Sequence, residues 1–342
     1  MIQCGKVCVN CDYPIHMDTY KGCSHGCVYC RVKRAKNIDK IIPIRTVKGL
    51  KNFIDGKRNK WTKWCDWRIP IQWGANSDPF QECEHEYGAS LECLKVLAEK
   101  KYPFIITTKN PVLLTEEPYF SLLKECRVIV QCSMACSRYD KLEPKAPKYE
   151  ERLSAMAKLS PVVTRTAVRL SPFFPDAIYD IIENIPRLSE AGIHGVLIEG
   201  FCSNNAHPQM KRYGGRYMFP NDVLYPLFHR IRSKCHDVGI TFTAVESGLS
   251  WMSDSTRCCC SDGLDDFIPN LYTLDHIAQG DSLCTDAQRL PCHAPFEGFR
   301  CNQAWNLHVR GRTFKDLVDE QAKGYPEWFK AERMRLENGI IW

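Results

Sequence analysis

The chain has 342 residues, 44% of them hydrophobic and 25% charged, with 46 basic against 40 acidic side chains for a formal charge of +6. That composition is ordinary for a globular protein and supplies material for one large domain or two smaller ones. No run of about 18 apolar residues is present to span a membrane, and Met1 to Asp12 has no apolar core of the kind a secretory signal needs.

The basic excess is mild. A sequence pI of about 8.4 permits an anionic partner such as nucleic acid but is below the ~9 that would argue for one. Twenty cysteines is a high count. Without export, clustered cysteines read as metal-binding or catalytic rather than as disulfides. The expected compartment is a reducing cytoplasm, in an organism or niche poor in oxygen.

Met1 to Cys11 carries Cys4-x3-Cys8-x2-Cys11. This triplet is a candidate auxiliary metal site, either an iron–sulfur cluster with a ligand from elsewhere or a zinc that ties down the N-terminus. A chance echo of the next motif is the bland alternative. Tyr13 to Tyr20 is a short strand-like segment. It leads into Tyr20 to Arg31, which holds Cys23-x3-Cys27-x2-Cys30. A basic run, Arg31 to Lys40, reads as a solvated surface or a phosphate-facing patch.

A regular alternation follows. Arg45 to Phe53 is helix-like, and Arg68 to Trp73 is a short apolar strand ending in Gly74 to Phe80. Glu84 to Lys100 has apolar residues at 87, 91, 94, 97 and 98, a helical period. Phe104 to Thr108 is a strand. Asn110-Pro111 offers an N-cap with proline at the first helical position. Arg127 to Ser133 is a strand, Tyr149 to Leu159 a helix, and Pro161 to Leu170 a β-branched strand. Ile178, Ile181, Ile182, Ile185 and Leu188 form a helical stripe, which Pro186 should kink. Gly195 to Gly200 is a sixth strand, Asp222 to His236 a helix, and Ile240 to Glu246 a further strand.

Strands alternating with helices predict βα units and a parallel sheet. Six or seven units suit an α/β fold, a partial TIM-like (β/α)6 barrel. Active sites of such barrels lie at the C-terminal strand ends, here Asn76, Ser77, Asp78, Lys109, Ser133, Arg169 and Glu199. The expected organisation is a Cys-rich segment over 1–12, the barrel over 13–246, and a Cys-rich extension over 247–342. That extension holds Cys258-Cys259-Cys260, Cys284, Cys292 and Cys301 and two short helices, Thr313 to Lys323 and Pro326 to Asn338. Cys284, Cys292 and Cys301 are candidate auxiliary metal ligands; ordinary thiols are the alternative. At most two of the three adjacent cysteines could ligate one ion without backbone strain.

Iron–sulfur clusters are held by thiolates, usually four. Three thiolates at the spacing of Cys23, Cys27 and Cys30 leave one iron of a [4Fe–4S] cubane open to a small molecule. A zinc site usually brings a second ligand pair at C-x2-C or H-x3-5-H spacing, and none is adjacent.

The spacing, with Tyr29 just before the last cysteine, resembles the signature of radical S-adenosylmethionine (SAM) enzymes. Further segments resemble their spore photoproduct lyase-like branch: Gly22 to Cys30, Ser77-Asp-Pro-Phe-Gln81 with Glu84, Cys93-Leu94 and Val96-Leu97, Thr108-Lys-Asn-Pro111, Leu142 to Pro147 with Arg152-Leu153, and Arg169-Leu-Ser-Pro172 with Pro175. Together they span about residues 12–200. The resemblance implies that Cys23, Cys27 and Cys30 hold the cluster and that Tyr29 lies near the adenine of SAM. It places Asn76, Ser77 and Asp78 at the methionine end, Lys109 at the SAM carboxylate and Ser133 beside it, with Arg169 on the fifth strand as a further SAM-site residue. It also implies a one-electron reductant such as flavodoxin or ferredoxin.

The departures are specific. The family's hydrogen-donating cysteine before the Ser-Asp pair is absent from Gly74-Ala75-Asn76, and Arg31 stands where a tyrosine follows the last cluster cysteine. The sequence therefore implies radical SAM chemistry on an unknown substrate, with nucleic acid suggested, and not thymine-dimer repair. A peptide or protein substrate served by auxiliary clusters is the runner-up. A non-enzymatic, zinc-stapled nucleic-acid-binding protein is the rival from another class.

Overall fold

The computed structural model describes residues 2–4, 12–30, 32, 40–59, 62, 68–213, 216–245, 249–255, 257–265 and 267, with a few positions between 331 and 338. Its strands are β1 (Ile2–Cys4), β2 (Ile15–Met17), β3 (Tyr20–Lys21), β4 (Ile42–Pro43), β5 (Ile71–Trp73), β6 (Phe104–Thr108), β7 (Val128–Ser133), β8 (Arg165–Phe173), β9 (Gly195–Gly200), β10 (Cys202–Ser203), β11 (Lys211–Tyr213), β12 (Arg216–Met218) and β13 (Thr241–Val245). The α-helices α1 (Val47–Ile54), α2 (Glu84–Tyr87), α3 (Ala89–Lys100), α4 (Tyr119–Lys124), α5 (Tyr149–Leu159), α6 (Ile178–Glu190) and α7 (Asn221–Asp237) lie between them.

The main sheet runs β1-β2-β5-β6-β7-β8-β9-β13. β1 pairs antiparallel with β2, and every later neighbour is parallel. This is the expected partial barrel, open between its edge strands. β3 pairs with β4 in a small separate ribbon, and β10, β12 and β11 form another.

Alternation along each strand builds two cores. Phe104, Ile106, Val128, Val130, Val168, Leu170, Val196, Ile198, Phe242 and Ala244 point outward and are buried with the helices. Ile105, Ile129, Ala167, Leu197 and Val245 point inward. A period of two sends successive side chains to opposite faces, so one apolar run of sequence serves both cores. Burying a side chain of this size stabilises by roughly 1.5–3 kcal/mol, and both faces of the sheet are covered, as parallel sheets require.

The inner core is completed from the C-terminal part of the chain. Cys259, Cys260, Leu264 and Phe267 fill the inside of the sheet together with Tyr13. Gln72 donates to Cys259 Sγ at 3.1 Å, and Gln131 donates to the Cys259 carbonyl at 2.7 Å. Above this floor lies a polar belt. Arg169 meets Glu199 at 2.7 Å, Thr107 donates to Gln131 at 3.1 Å, and Ser171 donates to Glu199 at 3.0 Å.

Two local expectations change. The helix over Glu84 to Lys100 is two helices, α2 and α3, because Gly88 takes φ +57° between them. Asn110-Pro111 opens only a short 3-10 turn, Leu113–Thr115, before Pro118 precedes α4; Asn110 instead donates to the Phe80 carbonyl at 2.7 Å. Helix α6 continues through Pro186 to Glu190. The expected helix over 313–323 lies outside the described residues, as does most of that over 326–338.

Gly74 ends β5 with φ +101°, and its N–H bonds to the Met17 carbonyl at 3.1 Å. A Cβ there would collide with the Thr107 carbonyl oxygen and stand 3.0 Å from Pro79 Cδ. Left-handed backbone strain and overpacking together cost about 2–4 kcal/mol. Gly74→Ala is expected to lower the urea midpoint accordingly; an unchanged midpoint would contradict this tight crossing.

Candidate cluster and cofactor site

The cysteine loop leaves β3 and is wedged between the segments that follow β5 and β7. On one side Ser24 N–H donates to Gln81 Oε1 at 2.7 Å, and Gln81 Nε2 donates to the Gly22 carbonyl at 3.1 Å. On the other, Val28 N–H donates to the Leu142 carbonyl at 2.9 Å and Lys145 N–H to the His25 carbonyl at 3.2 Å. Gly26 turns the loop with φ +67°, and its Cα faces Pro144. A loop held from both sides keeps its side chains in one arrangement, as a preorganised site requires.

Cys27 is buried, whereas Cys23 and Cys30 are half-buried. Burial pushes the Cys23 thiol up to about 12, with the Asp78 charge adding to it. Burial likewise pushes Cys27 up to about 11, against the opposing pull of the Lys109 ammonium. Thiols this weakly acidic stay protonated at neutral pH unless a metal displaces the proton. Among the described residues no three His, Cys, Asp or Glu side chains converge as ligands of a single ion would. Three thiols on one loop supply the donor type that iron–sulfur clusters take.

Asp78 anchors the loop from below. It accepts from Thr108 Oγ1 at 2.7 Å, Lys109 N–H at 2.6 Å and Phe80 N–H at 2.9 Å, and His25 Nε2 lies 3.0 Å from its second oxygen. Burial pushes its carboxyl up, but His25 and these donors outweigh that and hold it below the usual range. Asn76 Nδ2 donates to Asp18 at 2.7 Å, and Ser77 Oγ donates to the Tyr20 carbonyl at 2.6 Å. These side chains thus tie the β5 end to the β2 end.

Lys109, at the end of β6, reaches Glu143 Oε1 at 3.0 Å and donates to Ser133 Oγ at 2.5 Å. Its ammonium lies 5.5 Å from the centre of the Tyr29 ring, and the Tyr29 hydroxyl donates to the same Glu143 oxygen. Arg152 from α5 completes the group, 2.5 Å from Glu143 Oε2, and donates to the Ser133 and Pro147 carbonyls. Burial pushes the Glu143 carboxyl up, yet Lys109 and Arg152 together hold it below its usual range.

Of the sequence-predicted residues, Cys23, Cys27, Cys30, Tyr29, Asn76, Ser77, Asp78, Lys109 and Ser133 come together at this end of the sheet. Arg169 pairs with Ser133 across β7 and β8, and its side chain meets Glu199 in the inner belt. Of the auxiliary candidates, Cys4 is in β1, and Cys8, Cys11, Cys284, Cys292 and Cys301 lie outside the described residues. Sequence reasoning gave no role to Asp18, His25, Gln81, Glu143 or Arg152. Leu142-Glu143-Pro144 and Arg152 were visible as parts of a family-like pattern, but nothing local marks them as partners of Lys109.

No family model matches the chain. The architecture is that of the radical SAM partial barrels. Within that class, spore photoproduct lyase solved with bound AdoMet and dinucleoside spore photoproduct superposes with a TM-score of 0.54 at 14% identity, covering 67% of this chain and 76% of that one. The same lyase complexed with dinucleoside spore photoproduct alone gives 0.51 at 15% identity, over 68% and 77%. The chain thus shares the fold of spore photoproduct lyase over about two thirds of its length. Uncharacterized proteins of Mycobacterium tuberculosis and Mycobacterium bovis are 24% identical over 200 residues, 53% of this chain. The match spans about half the length of those relatives, 56%.

Proposed function

We propose that the protein is a radical SAM enzyme whose cluster is held by Cys23, Cys27 and Cys30. The observation that carries this reading is the position of the three-cysteine loop. It is clamped between two strand-end segments, with the Lys109 ammonium beside Cys27. When bound, the cluster supplies the electron that splits SAM into methionine and a 5′-deoxyadenosyl radical, which abstracts hydrogen from the substrate. Lys109 offers a charge-assisted contact to the SAM carboxylate. Asn76, Ser77 and Asp78 fix the loop and the β5 end at the side assigned to the methionine end of SAM, and the buried floor at Cys259 keeps water out from below.

The substrate favoured is nucleic acid. The fold is shared with a protein solved with a dinucleoside, and one face of α1 is basic. Arg45, Lys48 and Lys51, against Asp55, line a shallow cavity of about 650 Å³. The start of α1 is tied to the end of β2 through Thr46 Oγ1, which donates to the Asp18 carbonyl at 2.8 Å. Among the described residues no helix is long and apolar enough to cross a membrane. A cytoplasmic setting with a flavodoxin- or ferredoxin-type reductant fits the chemistry.

Anaerobic reconstitution tests the reading. The expected result is a brown protein with at least about four irons per chain that forms 5′-deoxyadenosine from SAM and reductant. A colourless protein that holds zinc and leaves SAM intact would sink it and favour the zinc-stapled binder.

A further inference from the structure

The cluster loop rests on a buried charge group whose members are unequal. Glu143 is a carboxylate with 2% of its side chain exposed, between two cations. Arg152 is equally buried and is fixed by two backbone carbonyls besides Glu143. Lys109 is 14% exposed and ends a flexible stem. An ammonium has three donors in one small head. One faces Glu143 and one is given to Ser133, which leaves a third for a ligand. Ser133 is itself held, donating to the Ser171 carbonyl at 3.0 Å.

We propose that Glu143 is a positioning residue for the amino-acid end of SAM: with Ser133 it holds the Lys109 ammonium in place, so that one N–H is presented to the ligand carboxylate, while Arg152 keeps Glu143 neutralised whether or not ligand is bound. The inference rests on the radical SAM reading. Glu143 does not touch SAM; it acts through Lys109. The arrangement explains why a carboxylate is tolerated so close to an anion-binding point. One negative charge against two positive ones leaves the group a net positive charge toward the loop. It also explains the Tyr29 contact, since the same Glu143 oxygen fixes the ring beneath the ammonium.

Two ligands separate positioning from mere support. SAM carries the carboxylate; 5′-methylthioadenosine keeps the adenosyl group and lacks the amino-acid end. Equilibrium dialysis on reconstituted holoprotein is expected to show SAM binding about tenfold weaker in Glu143→Gln, the loss of one charge-assisted contact, and methylthioadenosine binding, which senses Glu143 only through Tyr29, weakened by clearly less. In a Lys109→Met background, Glu143→Gln should weaken SAM no more than it weakens methylthioadenosine. If Glu143→Gln alone does not fold, the charge-matched Glu143→Gln/Arg152→Gln protein is used, with the same expectation. Equal weakening of both ligands, unchanged SAM binding in a folded variant, or a SAM-specific loss that persists in Lys109→Met would overturn the proposal. Wild-type holoprotein that binds no SAM would instead defeat the radical SAM reading on which it rests.

Discussion

Cys27→Ala protein, carried through anaerobic reconstitution, is expected to lose its cluster signal and to form no detectable 5′-deoxyadenosine, while Cys8→Ala protein keeps both. Cys27 is the most buried of the three loop thiols and the one that senses Lys109 and Glu143. With three ligands, losing one leaves two irons bare, and two thiolates do not hold a site-differentiated cubane. The loss is therefore all-or-none in activity but small in fold stability, on the order of 1 kcal/mol for a buried atom the size of sulfur. That contrast is the check. Iron content and deoxyadenosine should vanish while the thermal midpoint of the metal-free protein barely moves. A second consequence follows from the raised thiols. Metal must displace protons from Cys23 and Cys27, near 12 and 11, so reconstitution should release protons and run faster as pH rises. Cluster formation and SAM cleavage that survive removal of Cys23, Cys27 and Cys30 in turn would refute the central claim.

The parts of this architecture written locally were legible in the sequence. Phe104 to Thr108 and Arg127 to Ser133 are short β-branched runs between turn signals, and they are strands β6 and β7. The cysteine spacing is local too, and so is its place after a strand. Charge pairing has no period. Tyr29, Lys109, Glu143 and Arg152 sit on four separate segments, and only the closure of the sheet brings them to one carboxylate. Leu142-Glu-Pro could be read as a pattern but not as the partner of Lys109. The floor was equally hidden. Cys259 meets Gln72 and Gln131 across 187 and 128 residues, and no local pattern marks Cys259 and Cys260 as neighbours of Tyr13, Leu264 and Phe267 in the inner core. Gly88 shows the limit at short range. A glycine inside a helical stripe costs only about 1 kcal/mol, so the stripe outweighed it on paper, while in the fold it breaks α2 from α3.

Asp78→Asn is expected to be the most destabilising polar substitution at the site, costing about 3–5 kcal/mol. The carboxylate is buried and serves Thr108, the Lys109 and Phe80 amides and His25 together. An amide keeps one acceptor oxygen and turns the other into a donor facing existing donors, so at least one buried contact becomes repulsive. The pH dependence separates this from a packing defect. The carboxyl of Asp78 is depressed in the folded protein, whereas in the unfolded chain it titrates near ~3.9. Its contribution is thus fully present above about pH 5, and it is lost as pH falls through the unfolded value toward the folded one. Wild-type stability should therefore drop below about pH 4 more steeply than that of Asp78→Asn, by up to ~1.4 kcal/mol per pH unit for the one proton involved. Glu143, also depressed, adds the same sign in both proteins and cancels in the comparison. Urea midpoints from pH 6 to pH 3 give the two slopes. Parallel slopes would mean that Asp78 is not held ionised in the fold, and the anchor beneath the cysteine loop would have to be sought in the backbone contacts of Gln81 and Leu142 alone.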